Sequence, residues 1–148
     1  MTPDDLIRDL GLEPLEPEGG WWRQSHIDSN GTGIYYLLTR GQCSLLHQLP
    51  GPETYFYQLG APLDLLVLHP HGASERILVG PDLEAGQRLQ HVVPGGCFQG
   101  STSTGAWTLV GTSMAPPFRM EDYVAGRRDD LVERFPDLAG RITELTHA

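Results

Sequence analysis

Apolar and polar residues alternate along most of the chain, a pattern typical of β-strands that bury one face. Between residues 21 and 114 the pattern recurs in nine segments, at intervals of about ten residues. Turn signals such as Asn30-Gly31, Pro50-Gly51-Pro52 and Pro94-Gly95-Gly96 separate the segments. The predicted strands are 21–26, 33–39, 43–49, 54–59, 63–69, 75–79, 88–93, 97–100 and 107–114. Many short strands at even spacing predict a β-sandwich or barrel.

Helical patterns are confined to the two ends of the chain. Thr2, Pro3 and Asp5 are residue types preferred at the N-cap, first and third positions of a helix, and Gly11 provides its end. Helical segments are also predicted at 120–124, 130–134 and 136–145, where a single apolar stripe indicates packing against the outside of a sheet. Without an internal repeat or a linker, residues 1–148 are predicted to form one domain.

Composition narrows the possible chemistry. Gly (18 residues) and Pro (12 residues) are abundant, as a chain with many turns requires. The ten positive charges are all arginines, which excludes Schiff-base chemistry, a lysine base and the P-loop. The net charge of −9 argues against binding to nucleic acid or to an anionic membrane surface.

The N-terminus, the apolar stretches and the cysteines indicate in which cellular compartment the protein is expected. The N-terminus carries acidic residues where a signal peptide carries basic ones, and the longest apolar stretch, 63–68, is too short to span a bilayer. We therefore expect a cytoplasmic protein in which Cys43 and Cys97 are reduced. Cys97 is read as structural, because no basic neighbour is evident that would lower its pKa.

One imidazole and one carboxylate stand out as candidate chemistry. In a strand, residues two apart share a face, so His47 lies on one face with Leu45 and Leu49. Glu53 shares a face of the next strand with Tyr55 and Tyr57. If the two strands pair as a hairpin, His47 and Glu53 converge on the barrel interior.

The spacing of these residues resembles a known family motif. Gly41, His47, Glu53 and Gly60 fit the first motif of the cupin superfamily, G-x5-H-x-H-x3-E-x6-G, with Leu49 in place of the second His. The second motif ends P-x-G-x2-H, and here Gln99 replaces its His.

Further stretches that carry the resemblance are 18–23, 34–38, 61–63, 93–96, 110–111 with 115–118, and 135–138. The chain is identified over residues 3–146 as similar to the small cupin-5 branch of unassigned function, which resembles dTDP-sugar 3,5-epimerases in fold.

The resemblance implies an all-β double-stranded β-helix, that is, a jelly-roll barrel with a pocket at its mouth and usually a homodimer. The N-terminal and C-terminal helices lie outside this barrel. The family's metal site would fall on His47, Glu53 and Gln99, but Leu49 offers no ligand and an amide is a weak one. We therefore expect no cofactor. Phe56 stands where relatives often have a His, so any acid–base work done by that His is missing here.

The leading hypothesis is a barrel that binds a small polar organic ligand and transfers protons on it, as isomerases and epimerases do. His47 would be the base, Glu53 its orienting partner and Tyr57 the acid. The expected ligand contacts are Trp22, Arg23, Tyr36, Tyr55, Phe56 and Gln99. The alternatives are a metal-dependent oxygenase or lyase, and a ligand-binding or regulatory module without turnover.

Several polar residues outside the candidate site are expected to lie on the surface, in contact with water. Glu13, Glu16 and Glu18 are expected to form an acidic face in water. His69 and His71 flank Pro70 and precede a glycine, which indicates a loop rather than a metal pair.

Overall fold

Two antiparallel β-sheets face each other in the computed structural model, which describes residues 1–147. The strands are β1 (Glu13–Pro14), β2 (Trp21–Asp28), β3 (Gly31–Thr39), β4 (Ser44–Gln48), β5 (Glu53–Gly60), β6 (Leu63–Leu68), β7 (Ser74–Val79), β8 (Gln90–Val93), β9 (Phe98–Ser103), β10 (Trp107–Met114) and β11 (Val124–Ala125). Sheet A has the order β1-β2-β3-β10-β5-β8, and sheet B has the order β11-β4-β9-β6-β7. Pairs of strands that are distant in sequence, such as β3 with β10 and β4 with β9, lie side by side within the sheets, and the fold is a jelly-roll barrel, as predicted.

All nine predicted strands are present, with ends that shift by a few residues. The two-residue strands β1 and β11 were not predicted, and the helix expected at 120–124 is wrong. That segment forms a short 3-10 turn, Met120–Asp122, after which β11 pairs with the edge strand β4. Pairing with an open sheet edge outweighs the helical preference of a segment that has no side-chain cap.

The N-terminal helix α1 (Pro3–Leu10) forms for the reasons read from the sequence. The Thr2 hydroxyl accepts a hydrogen bond from the Asp5 amide at 3.2 Å, and the Asp5 carboxylate accepts one from the Thr2 amide at 2.9 Å. This reciprocal pair is a capping box. Gly11 then ends the helix in the left-handed region, at φ 65°. Within the described residues, no helix has both the length and the apolar character needed to cross a membrane.

Three apolar clusters hold the layers together. The central one fills the space between the sheets and includes Tyr36, Leu65 and Val67. A second packs the outer face of sheet B against α2 (Arg128–Arg134) and α3 (Ala139–Glu144). A third packs α1 against the outer face of sheet A. Because β6 is covered on both faces, it reads as a nearly continuous apolar run.

The connection between β4 and β5 differs from our expectation. The two strands do not pair as a hairpin, because β4 belongs to sheet B and β5 to sheet A. The turn at residues 49–52 instead carries the chain across the barrel. His47 and Glu53 both still face the interior, one from each sheet, and both are buried.

Candidate functional site

A small, partly open cavity lies against the inner face of sheet A, bounded on its other sides by connecting segments. Its volume is about 30 Å³, which holds roughly two water molecules. Its wall is mainly apolar, with two carboxylates among the polar groups. The lining residues are Leu15, Glu18, Trp22, Thr32, Ile34, Tyr36, Leu49, Glu53, Tyr55, Thr112, Met114 and Phe118.

Glu53 contributes the first carboxylate, from the start of β5. Its register opposite Met114 and Val93 turns the side chain inward, and only 8% of the residue is exposed. Burial raises the pKa of Glu53, and the nearby charge of Glu18 raises it further. His47 and hydrogen bonds from Thr112 and Gln99 oppose the rise without cancelling it. Glu53 therefore keeps its proton to a higher pH than an ordinary glutamate does.

Glu18 contributes the second carboxylate, and the sequence reading of this residue is wrong. We expected it on a solvated face with Glu13 and Glu16, which are indeed exposed. Instead the Glu18 side chain turns into the barrel, where one oxygen accepts a hydrogen bond from the Ser44 hydroxyl at 2.9 Å. Its backbone carbonyl accepts the Leu45 amide at 2.8 Å, which fixes the loop against β4.

Two glycines make this inward turn possible. Gly19 and Gly20 both have positive φ, at 104° and 84°. A Cβ atom on Gly19 would lie 2.2 Å from the Cys43 carbonyl oxygen, and one on Gly20 would lie 2.6 Å from the Tyr36 hydroxyl. The loop therefore packs closely over the barrel only because these positions lack side chains, and the preceding residue, Glu18, is directed inward.

His47 is almost fully buried and pairs with Glu18 rather than with Glu53. Its Nδ1–H donates to the Leu45 carbonyl at 2.7 Å, so Nε2 is the atom that faces the cavity side. Nε2 lies 3.4 Å from a carboxylate oxygen of Glu18. The ring of Tyr123 stacks on the imidazole with centroids 5.1 Å apart. His47 thus stands behind Glu18, and the orienting role expected of Glu53 is taken by Glu18.

Two tyrosine hydroxyls complete the polar network. Tyr55 donates to the side-chain oxygen of Gln99 at 2.5 Å, and Tyr36 donates to the Gly19 carbonyl. Burial raises the pKa of both tyrosines well above the ordinary value, with added repulsion from Glu18 at Tyr36 and from Glu53 at Tyr55. Both hydroxyls therefore stay protonated and act as donors.

Three predicted site residues lie apart from this cavity. The Tyr57 hydroxyl donates to the Gly60 carbonyl at 2.7 Å, within its own strand. Arg23 lies exposed near the end of α1, with Nη1 3.5 Å from the Leu10 carbonyl oxygen. Phe56 alternates with Tyr55 and so faces away from the interior. The structure instead brings together His47, Glu53, Gln99, Tyr36, Tyr55 and Trp22.

The residues present do not fit the metal site that the cupin motif implies. Leu49 occupies the wall where the motif has an imidazole, and the Gln99 oxygen already accepts the Tyr55 hydroxyl. Across residues 1–147, no three or more His, Cys, Asp or Glu side chains are arranged to hold a metal ion. A stable transition-metal site needs at least that many strong ligands.

The charge of the wall limits what the cavity can accept. Two of the lining side chains are carboxylates, and none is an arginine. The nearest potential cation is His47, which is already paired with Glu18. An added anion would meet repulsion that nothing in the wall offsets, whereas a neutral polar group or a cation would find acceptors.

Comparisons with known proteins give a family and a fold. The family model described as Cupin superfamily (DUF985) matches residues 4–125. A hypothetical protein from Leishmania major is 29% identical, with a TM-score of 0.89 and coverage of 100% of both chains. A protein from Shewanella oneidensis is 30% identical, with a TM-score of 0.91 and coverage of 99% of this chain and 98% of that one.

A more distant likeness extends only to the fold. A variant of the oxalate decarboxylase of Bacillus subtilis superimposes with a TM-score of 0.61 at 13% identity, over 90% of this chain and 37% of that one. No curated protein matches the chain.

Proposed function

Since the chain belongs to the DUF985 family of the cupin superfamily, we propose that its barrel cavity binds a small polar organic molecule that is neutral or positively charged. The observation that carries the proposal is the pair of carboxylates, Glu18 and Glu53, in the wall of one cavity that no arginine lines. Aromatic rings of Trp22 and Tyr36 supply apolar contact area in the same wall.

The charge of the cavity argues against a nucleotide sugar as the ligand. A diphosphate is recognised by arginines or by backbone amides at a helix N-terminus. Arg23, which we expected to contact the ligand, is exposed outside the cavity. The proposed ligand is therefore an unphosphorylated polyol, hydroxycarbonyl compound or amine.

The two carboxyl groups are suited to proton transfer of the isomerase kind. Glu53, whose pKa is raised by burial and by Glu18, would hold a proton and act as the acid. Glu18 would act as the base, with His47 behind it to stabilise its charge. In this scheme His47 is a positioning residue, Tyr57 has no part, and Tyr55 and Gln99 orient the ligand next to Glu53.

Entry of such a ligand requires the wall to open. The cavity, at about 30 Å³, is smaller than an organic ligand needs. Phe118 closes one side from the segment after β10, where its amide donates to the Thr32 hydroxyl at 2.8 Å. We propose that this segment moves outward when the ligand enters and covers it afterwards.

Binding is tested with probes that share a two-carbon skeleton and differ in charge. Ethylene glycol is neutral, ethanolamine is a cation and glycolate is an anion at pH 7. The indole N–H signal of Trp22 in an NMR spectrum reports on the wall, while Trp21, packed outside the barrel near α1, serves as the internal control. We expect ethanolamine and ethylene glycol to shift the Trp22 signal at lower concentration than glycolate. Preference for glycolate would contradict the proposal.

Proton transfer is tested separately with glycolaldehyde, a neutral hydroxycarbonyl compound. In deuterium oxide, we expect the protein to accelerate the exchange of the α-hydrogens of glycolaldehyde for deuterium. We expect the substitutions Glu18→Gln and Glu53→Gln to abolish this acceleration. Glu13→Gln, a change at an exposed glutamate, is the matched control. Exchange no faster than in buffer would refute the proposed proton transfer. The proposed ligand binding would then be judged by the probe experiment alone.

A further inference from the structure

A thiol, an imidazole and a carboxylate form a hydrogen-bonded chain on the other side of the barrel interior. The Cys97 sulfur lies 3.3 Å from Nδ1 of His69, and Nε2 of His69 lies 2.5 Å from a carboxylate oxygen of Glu75. None of these three residues lines the cavity that holds Glu18 and Glu53. The arrangement therefore needs an explanation of its own.

Strand register brings the three residues together. In sheet B, Val67 pairs with Gln99 on one side and with Glu75 on the other, and all three face the interior. Continuing the register by two residues, on the same face, places His69 opposite Cys97. The His69 amide donates to the Ala73 carbonyl at 2.8 Å, so the register holds beyond the end of β6.

The two contacts of His69 fix the roles of its ring nitrogens. A carboxylate can only accept, so Nε2 carries the hydrogen that Glu75 binds. In the neutral ring, Nδ1 then has the free electron pair, and it faces the thiol of Cys97. This is the order nucleophile, base and orienting acid that activates a nucleophile in enzymes.

We propose that Cys97, His69 and Glu75 form a second reactive site, in which hydrogen peroxide oxidises the Cys97 thiol to a sulfenic acid. The thiol proton passes to Nδ1 of His69, and the sulfur attacks one peroxide oxygen. The S–O bond forms as the O–O bond breaks, and the departing hydroxide takes the proton from Nδ1 and leaves as water. The sulfur loses two electrons to the peroxide, so the products are a sulfenic acid and one water molecule.

The burial of Cys97 limits which oxidants can reach its sulfur. Cys97 is only 2% exposed, whereas the Glu75 side chain is 45% exposed, so the chain of contacts runs from the surface to the sulfur. We expect a small neutral oxidant to reach a sulfur buried to this degree more readily than a large or charged one. Burial and the Glu75 charge raise the pKa of the Cys97 thiol, so at rest it is protonated and its reactivity depends on transfer of the proton to His69.

The second cysteine provides an internal control. Cys43 is also a free thiol and is less buried than Cys97. It packs at the edge of the cluster under α2 and α3, and its sulfur donates a hydrogen bond to the Glu144 carbonyl at 3.9 Å. Cys43 therefore has better access to solvent but no imidazole in hydrogen-bond contact.

The experiment follows both thiols in the same molecule. The folded protein is treated with hydrogen peroxide for increasing times, the peroxide is removed, and the remaining thiols are alkylated under denaturing conditions. Peptide mass spectrometry then gives the loss of thiol and the gain of oxygen at each cysteine. General-base assistance predicts oxidation of Cys97 at least about tenfold faster than that of Cys43, despite its burial.

Variants test the role of each neighbour. We expect His69→Asn to slow oxidation of Cys97 about tenfold or more, and Glu75→Gln to slow it severalfold. His71→Asn, which changes an adjacent imidazole that does not contact the sulfur, leaves the rate unchanged. If His69→Asn does not fold, the Glu75→Gln variant tests the proposal instead. Glu75 lies at the exposed end of the chain of contacts, so its substitution should disturb the fold less. Equal rates for the two cysteines, or an unchanged Cys97 rate in Glu75→Gln, would overturn the proposal.

Discussion

A carboxylate oxygen of Glu18 lies 3.4 Å from Nε2 of His47, beneath a loop that two glycines allow to pack against β4. This contact changes the assignment of roles in the barrel. The histidine of the family motif is used to hold Glu18, and the cavity itself presents Glu18 and Glu53. A site that the motif associates with metal is therefore built as a pair of acids.

The buried carboxyl of Glu53 makes stability depend on pH. Its pKa in the folded protein is raised above the ordinary value of 4.5. Between 4.5 and the raised pKa, the folded protein keeps a proton that the unfolded chain has lost, so stability falls as pH rises, by up to about 1.4 kcal/mol per pH unit. Glu53→Gln lacks this proton, so we expect its stability relative to the wild type to increase with pH across that window.

Denaturant unfolding of both proteins at several pH values measures this difference. Glu13→Gln, at an exposed position, should show the pH dependence of the wild type. A stability of Glu53→Gln that falls relative to that of the wild type as pH rises would mean that the Glu53 pKa is lowered.

The missing metal ligand can be restored by one substitution. Leu49→His adds an imidazole to the wall that already contains Glu53, next to His47 on the same face of the chain. We expect the variant to retain about one zinc ion per chain after dialysis, because it then has three strong ligands. Leu59→His, at an exposed end of β5, is the matched control. Elemental analysis showing stoichiometric metal in the dialysed wild type would contradict our proposal of a metal-free site.

Closure of the cavity by Phe118 sets the size of ligand that can bind. Phe118→Ala removes a ring from the wall, so we expect glycerol to bind severalfold more tightly than to the wild type, as followed by the Trp22 indole signal. Phe56→Ala removes a ring from the outer side of β5 and should leave binding unchanged. Equal glycerol affinity in Phe118→Ala and the wild type would show that this ring does not limit entry.

The packing between the sheets is tested on β6. Leu65 is fully buried in the interior cluster, so Leu65→Ala should lower the free energy of unfolding by about 2–5 kcal/mol. Leu59→Ala, at a side chain that is 44% exposed, should cost less than about 1 kcal/mol. Denaturant midpoints of the two variants give the comparison. A small loss in Leu65→Ala would indicate that the interior is not tightly packed.

The local sequence pattern was sufficient to predict the strands and α1. The alternation of apolar and polar residues in a strand and the capping of a helix both depend on residues that are close in sequence. Both His47 and Glu53 face the interior, as expected, but from opposite sheets, because the hairpin on which that expectation rested does not form. The local pattern could not predict that Glu18 turns inward, since a loop has no alternation and the turn depends on space between Gly19 and β4.

The contact of Cys97 with His69 escaped prediction for a similar reason. We read the thiol as lacking a basic neighbour and the histidine as part of a solvated loop. Both readings considered only residues near in sequence. The two residues meet because β6 and β9 pair in one particular register, which the sequence pattern of either strand does not specify.

The central claim is that Glu18 and Glu53 share one cavity, where burial and the Glu18 charge together raise the pKa of Glu53. An NMR titration of the glutamate side-chain carboxyl carbons, in the wild type and in Glu18→Gln, measures this most directly. We predict that Glu53 titrates above its ordinary value in the wild type and that its pKa falls when the Glu18 charge is removed. A Glu53 pKa at or below 4.5 in the wild type, or one that does not change in Glu18→Gln, would contradict the account.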